Sequence, residues 1–156
     1  MFLGHGYIKG QVVWIPIPKN ASTAHRNLFK ANGWSHIQYA DHLIEQEAYV
    51  VIRHPVQRWF SGVRQALKGG MVETVLEGGW PVFDQHTMRQ TDYLLSTVPN
   101  RTYIRLEDAG RYVKDRWNLD LPVENRSTPP IDERVVPILE DFYRADLELY
   151  ESIPEY

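Results

Sequence analysis

The 156-residue sequence predicts an α/β fold, a three-layer α/β/α arrangement with a central parallel sheet. Three observations carry this. Two short apolar runs without alternation, Gln11 to Ile17 and Ala48 to Ile52, have the pattern of strands covered on both faces. Each leads through a Pro-containing turn into a segment with helical spacing, and the connections are short, as parallel strands with crossover helices require. In such sheets ligands sit beyond the carboxyl ends of the strands.

Residues 1 to 10 hold three Gly and read as a lead-in turn or edge segment. Pro16 and Pro18 cannot donate ladder hydrogen bonds, so the first strand must end near them. From Ser22 the spacing of Ala24, Leu28 and Ala31 predicts a helix, with Asn32-Gly33 as its stop. Trp34 to Tyr39 alternates like a short second strand. After Pro55 the set Val56, Trp59, Phe60, Val63 and Leu67 follows helical spacing up to Gly69-Gly70. The other face of that helix carries Gln57, Arg58, Ser61, Arg64 and Gln65.

Gly69 to Asp84, with four Gly and a Pro, reads as a mobile loop or short helix over a site. His86 to Leu95 has weak helical character, Arg101 to Leu106 alternates like a strand, and Glu107 to Trp117 suits the helix after it. Leu121 to Pro130 is a turn-rich connector. The stripe Val136, Leu139, Tyr143, Leu147 and Tyr150 predicts one long closing helix starting near Pro137. No internal repeat or linker appears, and the length suits a single domain over residues 1–156.

Composition narrows the function classes. A net charge of −3 excludes a bulk polyanion binder, so no nucleic-acid partner is expected and any basic site is local. The absence of Cys removes disulfides, thiol nucleophiles and thiolate metal sites, and the six His lack HExxH-type spacing. No apolar stretch approaches the roughly 18 residues of a membrane span, and no signal segment is evident, so a soluble cytoplasmic protein is expected.

Two strand-to-helix corners carry the candidate chemistry. The first reads IPKNAST: Lys19 stands beside a helix N-terminus with Asn20, Ala21, Ser22, Thr23 and Ala24. Unpaired backbone N–H groups, the helix dipole and a full positive charge together make an anion cradle, although an ordinary capped corner has the same outline. The second reads IRHPVQRWFS, with Arg53 at the strand end, Arg58 and Ser61 on the helix. Neither corner matches GxxxxGK[ST]: Lys19 precedes Ser22 by three positions, the loop lacks Gly, and no apolar strand ends in an Asp suited to hold magnesium. A bound anion without a metal is the expectation.

On these residues the chain resembles carbohydrate sulfotransferases. IPKNASTAHRNLF resembles their 5′-phosphosulfate loop, and VVIRHPVQRWFSGVRQAL resembles their 3′-phosphate motif, in which a Ser follows eight residues after the Arg, as Ser61 follows Arg53. PVENRST is similar to the adenosine-side loop, bringing in Asn125, Arg126 and Ser127, and FYRADLELY is similar to the closing Tyr-x-x-Asp helix. The resemblance implies a P-loop-like sulfotransferase fold and 3′-phosphoadenosine 5′-phosphosulfate as donor, with no metal. It implies that Lys19, Ser22 and Thr23 hold the 5′-phosphate and that Arg53 and Ser61 hold the 3′-phosphate; Arg58 and Arg64 read as a solvated face, with contact of Arg58 to a phosphate or an anionic acceptor as the alternative. SHIQYADHL is similar to the uronyl 2-O-sulfotransferase branch, which makes His36 the catalytic base.

His86, after the Gly-rich loop, is the second candidate for the base and His42 the third; Glu107 reads as a helix-start residue. Trp34, Trp80 and Tyr39 read as core or loop anchors, with sugar stacking as the alternative. The acceptor is expected to be a saccharide, with a small alcohol, a phenol or a tyrosine side chain also open. The shortness of the chain beside these enzymes points to a compact bacterial or viral version. Two competing functions remain: a metal-dependent nucleotide or phosphoryl-transfer enzyme, and a non-catalytic nucleotide-binding module.

Overall fold

The computed structural model describes residues 4–39, 46–65, 69–93, 100–122 and 130–156. Five strands form one sheet: β1 (Gly4–Lys9), β2 (Val12–Ile15), β3 (Ser35–Tyr39), β4 (Glu47–Ile52) and β5 (Asn100–Arg105), in the order β3-β1-β2-β4-β5. The pairs β2·β4 and β4·β5 are parallel, with Trp14 opposite Tyr49 and Tyr49 opposite Thr102. β1 pairs antiparallel with both β2 and β3.

The sheet is therefore mixed, and the wholly parallel sheet expected from the sequence is corrected. The reason lies in Gly4–Lys9, which form a strand inside the sheet and not a lead-in turn or edge segment. Gly10, at φ 60°, takes the first position of a two-residue loop, and Lys9 lies opposite Val12. A tight hairpin of this kind needs positive φ at that position, which Gly adopts without steric cost. β1 thereby occupies the place beside β2, and the Ser35–Tyr39 strand is pushed to the edge.

Six helices are described: α1 (Ser22–Ala31), α2 (Pro55–Gln65), α3 (Met71–Leu76), α4 (Ala109–Trp117), α5 (Val136–Phe142) and α6 (Arg144–Ser152). Phe29 of α1 and Tyr112 and Val113 of α4 pack with Trp14, Trp34 and Tyr49 on one sheet face. On the other face Val13, Ile15, Ala48, Val50 and Ile52 meet Leu149 and Tyr150 of α6, and Ile153 beyond it. This two-sided burial explains why β2 and β4 read as unbroken apolar runs.

A third apolar cluster joins α2, α3 and α5 through Val56, Trp59, Phe60, Val75, Leu139 and Tyr143. The Gly-rich segment contains α3, and the long closing helix is two helices, because the chain breaks from helical geometry at Tyr143 (φ −97°, ψ 27°). The segment from His86 is helical only as a 3-10 turn over Gln90–Tyr93. At the amino ends of the strands Glu47 accepts two bonds from Arg116 (2.6 and 2.7 Å) and one from Thr102, fastening α4 to the sheet. Among the described residues no helix is long and apolar enough to cross a membrane.

Candidate anion-binding site

The first corner is a type II turn running into α1. Asn20 N–H donates to Ile17 O at 3.2 Å, Pro18 supplies the fixed φ of the second position, and Lys19 takes the third at φ 71°. Ala21, the residue before α1, is also left-handed at φ 60° and offers no side-chain cap. Left-handed backbone at a residue with a side chain costs about 1–3 kcal/mol, so two such residues in one loop require neighbours that hold them there.

Those neighbours bond to the loop's carbonyls. Pro18 O accepts from Arg58 Nε at 2.9 Å, and Lys19 O accepts from Arg53 Nη1 at 3.1 Å. Ala21 O accepts from His25 N at 3.0 Å and lies 2.8 Å from His25 Nδ1. In a trans peptide the C=O and the following N–H point in opposite directions. Turning the Pro18 and Ala21 carbonyls toward protein donors therefore turns the Lys19 and Ser22 N–H groups the other way. With Thr23 and Ala24 they form a row of donors at the positive end of α1, a concave arrangement suited to an anion.

Asn20 is 2% exposed and fixes the loop to the sheet, its Nδ2 donating to Val51 O at 2.8 Å and to Gln90 Oε1 at 2.6 Å. His25 is buried, stacked 5.3 Å from Trp14, and its Nε2 lies 2.8 Å from the Tyr49 hydroxyl. Burial drives the Tyr49 hydroxyl well above its ordinary pKa, so it stays protonated.

The second corner is built differently. Arg53 follows β4, is 8% exposed, and folds back onto the first corner through Lys19 O. Arg58 is 2% exposed, and besides Pro18 O it donates to Met88 O and reaches Gln85 O at 3.5 Å. Its donors are thus directed at backbone carbonyls, which gives it the geometry of a clamp and not of a residue on a solvated face. Burial lowers its pKa below the usual guanidinium value, opposed by Tyr93, Asp146 and Tyr143.

Ser61 lies two turns into α2, half-buried, on the outward stripe with Gln57 and Arg64. Beside it Phe60, Val63, Arg64 and Pro130 line an apolar hollow of about 410 Å³. Gly62 faces inward: a Cβ there would lie 2.9 Å from His86 O, so only Gly lets the 85–88 segment approach α2 this closely.

The three His candidates differ in setting. His36 is exposed on edge strand β3, opposite Tyr7, with ring centroids 5.2 Å from Tyr7 and 5.7 Å from His5. His86 is held by Asp84, whose Oδ1 accepts from His86 N at 2.8 Å and lies 3.0 Å from Nδ1. His42 lies outside the described residues, as do Asn125, Arg126 and Ser127. Glu107 accepts a hydrogen bond from the Tyr150 hydroxyl. Trp34 is in the core, stacked 4.1 Å from Phe29, while Trp80 is 66% exposed with its ring edge-on to Phe142 at 5.2 Å.

Gln90, Tyr143 and Asp146 emerge at the site without having been singled out one by one. The Tyr-x-x-Asp spacing was visible, and both side chains are buried: the Tyr143 hydroxyl donates to Thr87 O, and Asp146 accepts from Gln90 N (2.7 Å) and Thr91 N (3.0 Å). Gln90 had no signal, since the weak helical character of its stretch marks no role for it and its partners are far away in sequence. Among the described residues no group of three or more His, Asp or Glu is placed to hold a metal ion. Comparison with protein-family models, with curated proteins and with solved structures gives no match to this chain.

Proposed function

We propose that the protein is a sulfotransferase with a P-loop-like fold, moving the sulfuryl group of 3′-phosphoadenosine 5′-phosphosulfate to a hydroxyl of an acceptor, preferably a saccharide. One observation carries the reading: the two corners meet at the carboxyl ends of neighbouring parallel strands, with Arg53 bonded to Lys19 O at 3.1 Å. A donor with phosphate groups at both ends fits two adjoining anion corners better than one with a single phosphate.

In this reading the N–H groups of Lys19 and Ser22 to Ala24, with the Ser22 and Thr23 hydroxyls, hold the 5′-phosphate. The Lys19 ammonium stabilises the charge that grows on the bridging oxygen as the S–O bond breaks. Arg53 and Ser61 hold the 3′-phosphate, and Asn125, Arg126 and Ser127 keep the adenosine-side role that the resemblance implies. Arg58 supports the loop from behind. The acceptor oxygen attacks sulfur as the phosphate oxygen leaves, and its proton passes to a base. Catalysis by in-line positioning and charge stabilisation asks little else of so small a protein.

His36 is the base in the first reading. By register it stands one residue short of the end of β2 and two strands away, roughly 10 Å across the sheet. His86 is the second reading, favoured by the Asp84 carboxylate, which would orient its ring. Donor turnover with saccharide acceptors, measured in wild type, His36→Ala and His86→Ala, decides between them. The expected result is a loss of about 10²–10⁴-fold in His36→Ala with donor affinity kept. The same loss in His86→Ala alone moves the role there, and no turnover with any acceptor leaves a nucleotide-binding module. Binding that requires magnesium and a nucleoside triphosphate would instead favour the phosphoryl-transfer enzyme.

A further inference from the structure

Gln90 is fully buried in a 3-10 turn and its side-chain amide lies along the backbone of Arg53. Oε1 accepts from Arg53 N at 3.0 Å, and Nε2 donates to Arg53 O at 2.8 Å. These two bonds imitate a further rung of sheet just where β4 ends. The same Oε1 accepts from Asn20 Nδ2 at 2.6 Å, so a single side chain holds the loop of the first corner and the strand end of the second.

Gln90 is itself held from the carboxyl-terminal side. Asp146 on α6, fully buried, takes Gln90 N–H and Thr91 N–H on its two carboxylate oxygens at 2.7 and 3.0 Å. Three residues earlier, Tyr143 donates to Thr87 O, and Arg58 donates to Met88 O in the same segment. A path of direct hydrogen bonds thus runs from α6 through Gln90 to Asn20 and Arg53. A buried carboxylate that accepts two N–H bonds fixes the direction of both, and a buried amide with this many partners has one orientation open to it.

We propose that Gln90 is the positioning residue of the anion site, coupling the closing helix α6 to both corners so that Lys19 and Arg53 stand ready before any ligand arrives. The proposal rests on the donor-site reading for its ligand, and on geometry alone for the coupling. Preorganisation of this kind raises affinity by removing the ordering that binding would otherwise require.

The test compares wild type, Gln90→Leu, Gln90→Glu and a remote core truncation, Val113→Ala, by calorimetry with 3′-phosphoadenosine 5′-phosphate and by thermal melting. Gln90→Leu is expected to weaken binding by roughly tenfold or more, measured well below its melting transition. Val113→Ala should lose thermal stability with affinity unchanged. Gln90→Glu keeps an acceptor for Asn20 and Arg53 N, so it should fold, and it should also bind more weakly because its charge lies behind the cradle. Amide exchange at residues 19 to 24 should quicken in Gln90→Leu, the signature of a loosened loop. Unchanged affinity in folded Gln90→Leu and Gln90→Glu overturns the proposal, as does unchanged exchange at those amides. If the wild type binds no such ligand, the donor reading fails, and the exchange measurement alone decides the coupling.

Discussion

The two strand-to-helix corners look alike in sequence and do different work. At the β2–α1 corner the candidate recognition surface is backbone: two left-handed residues, Lys19 and Ala21, and a helix start without a side-chain cap. At the β4–α2 corner it is side chains, and much of their reach is spent on the first corner: Arg53 on Lys19 O and Arg58 on Pro18 O. The difference teaches that a buried Arg on a neighbouring helix, here Arg58 on Pro18 O, can support a candidate anion site from behind. Turning a carbonyl inward turns the neighbouring N–H outward, which places positive potential at the mouth without exposing the guanidinium.

The sharpest way to break this comparison is to remove the clamp. Arg58→Leu leaves the buried carbonyls of Pro18 and Met88 without their charged donor, which is expected to cost about 3 kcal/mol. For a chain of this length that lowers Tm by roughly 6–12 °C. A loss below about 1 kcal/mol in thermal or urea unfolding would mean the clamp contributes little.

A smaller effect separates strained loop from regular helix. Ala24→Gly, inside α1, should destabilise by about 1 kcal/mol through the entropy of Gly in a helix. Ala21→Gly, three residues earlier and left-handed, should be neutral or stabilising by about 0.5 kcal/mol, because relief of the positive φ offsets that entropy. Equal losses at both positions would show that Ala21 is not strained.

The smallest effect belongs to the second corner. His54, next to Pro55, is half-buried, with Nδ1 accepting from Val56 N at 3.3 Å. Its pKa is lowered from 6.5, chiefly by burial, against the opposing pull of Glu140, Glu151 and Glu107. The unfolded chain then takes up this proton more readily than the folded one. Stability is therefore intact above about pH 6.5 and declines as the pH falls from there toward the folded value. His54→Asn should flatten the part of the Tm profile between pH 7 and 5 that His54 contributes. An unchanged slope would assign the acid loss to other groups, among them His5, whose pKa is also lowered by burial and by the charges of His36 and Arg26.

Strands and helices were legible in the sequence wherever burial imposed a period. Trp14 and Val50 lie in runs apolar on both faces, and Val56, Trp59, Phe60 and Val63 mark one face of α2. The direction of β1 was not legible, because a strand holding Gly4, Gly6 and Lys9 has no strong alternation and its pairing depends on the Gly10 turn. Lys19 and Arg53 were legible as charges near a helix start. The burial of Arg58 was not, since an Arg on the polar side of a helical pattern ordinarily faces water, whereas here it is enclosed by the Pro18 loop, Tyr93 and the 85–88 segment. Gln90 could not be found at all: its partners are 37, 56 and 70 residues away.

The most direct measurement is metal-free calorimetry of 3′-phosphoadenosine 5′-phosphate against adenosine 5′-phosphate, on wild type and Arg53→Ala. Wild type should prefer the bisphosphate by at least about tenfold. Arg53→Ala should lose about one to two decades for the bisphosphate, the worth of a charge-assisted bond, with a smaller loss for the monophosphate. Equal affinity of wild type for the two ligands would contradict a 3′-phosphate site at Arg53 and Ser61, and equal losses for both in Arg53→Ala would leave Arg53 only its bond to the Lys19 carbonyl.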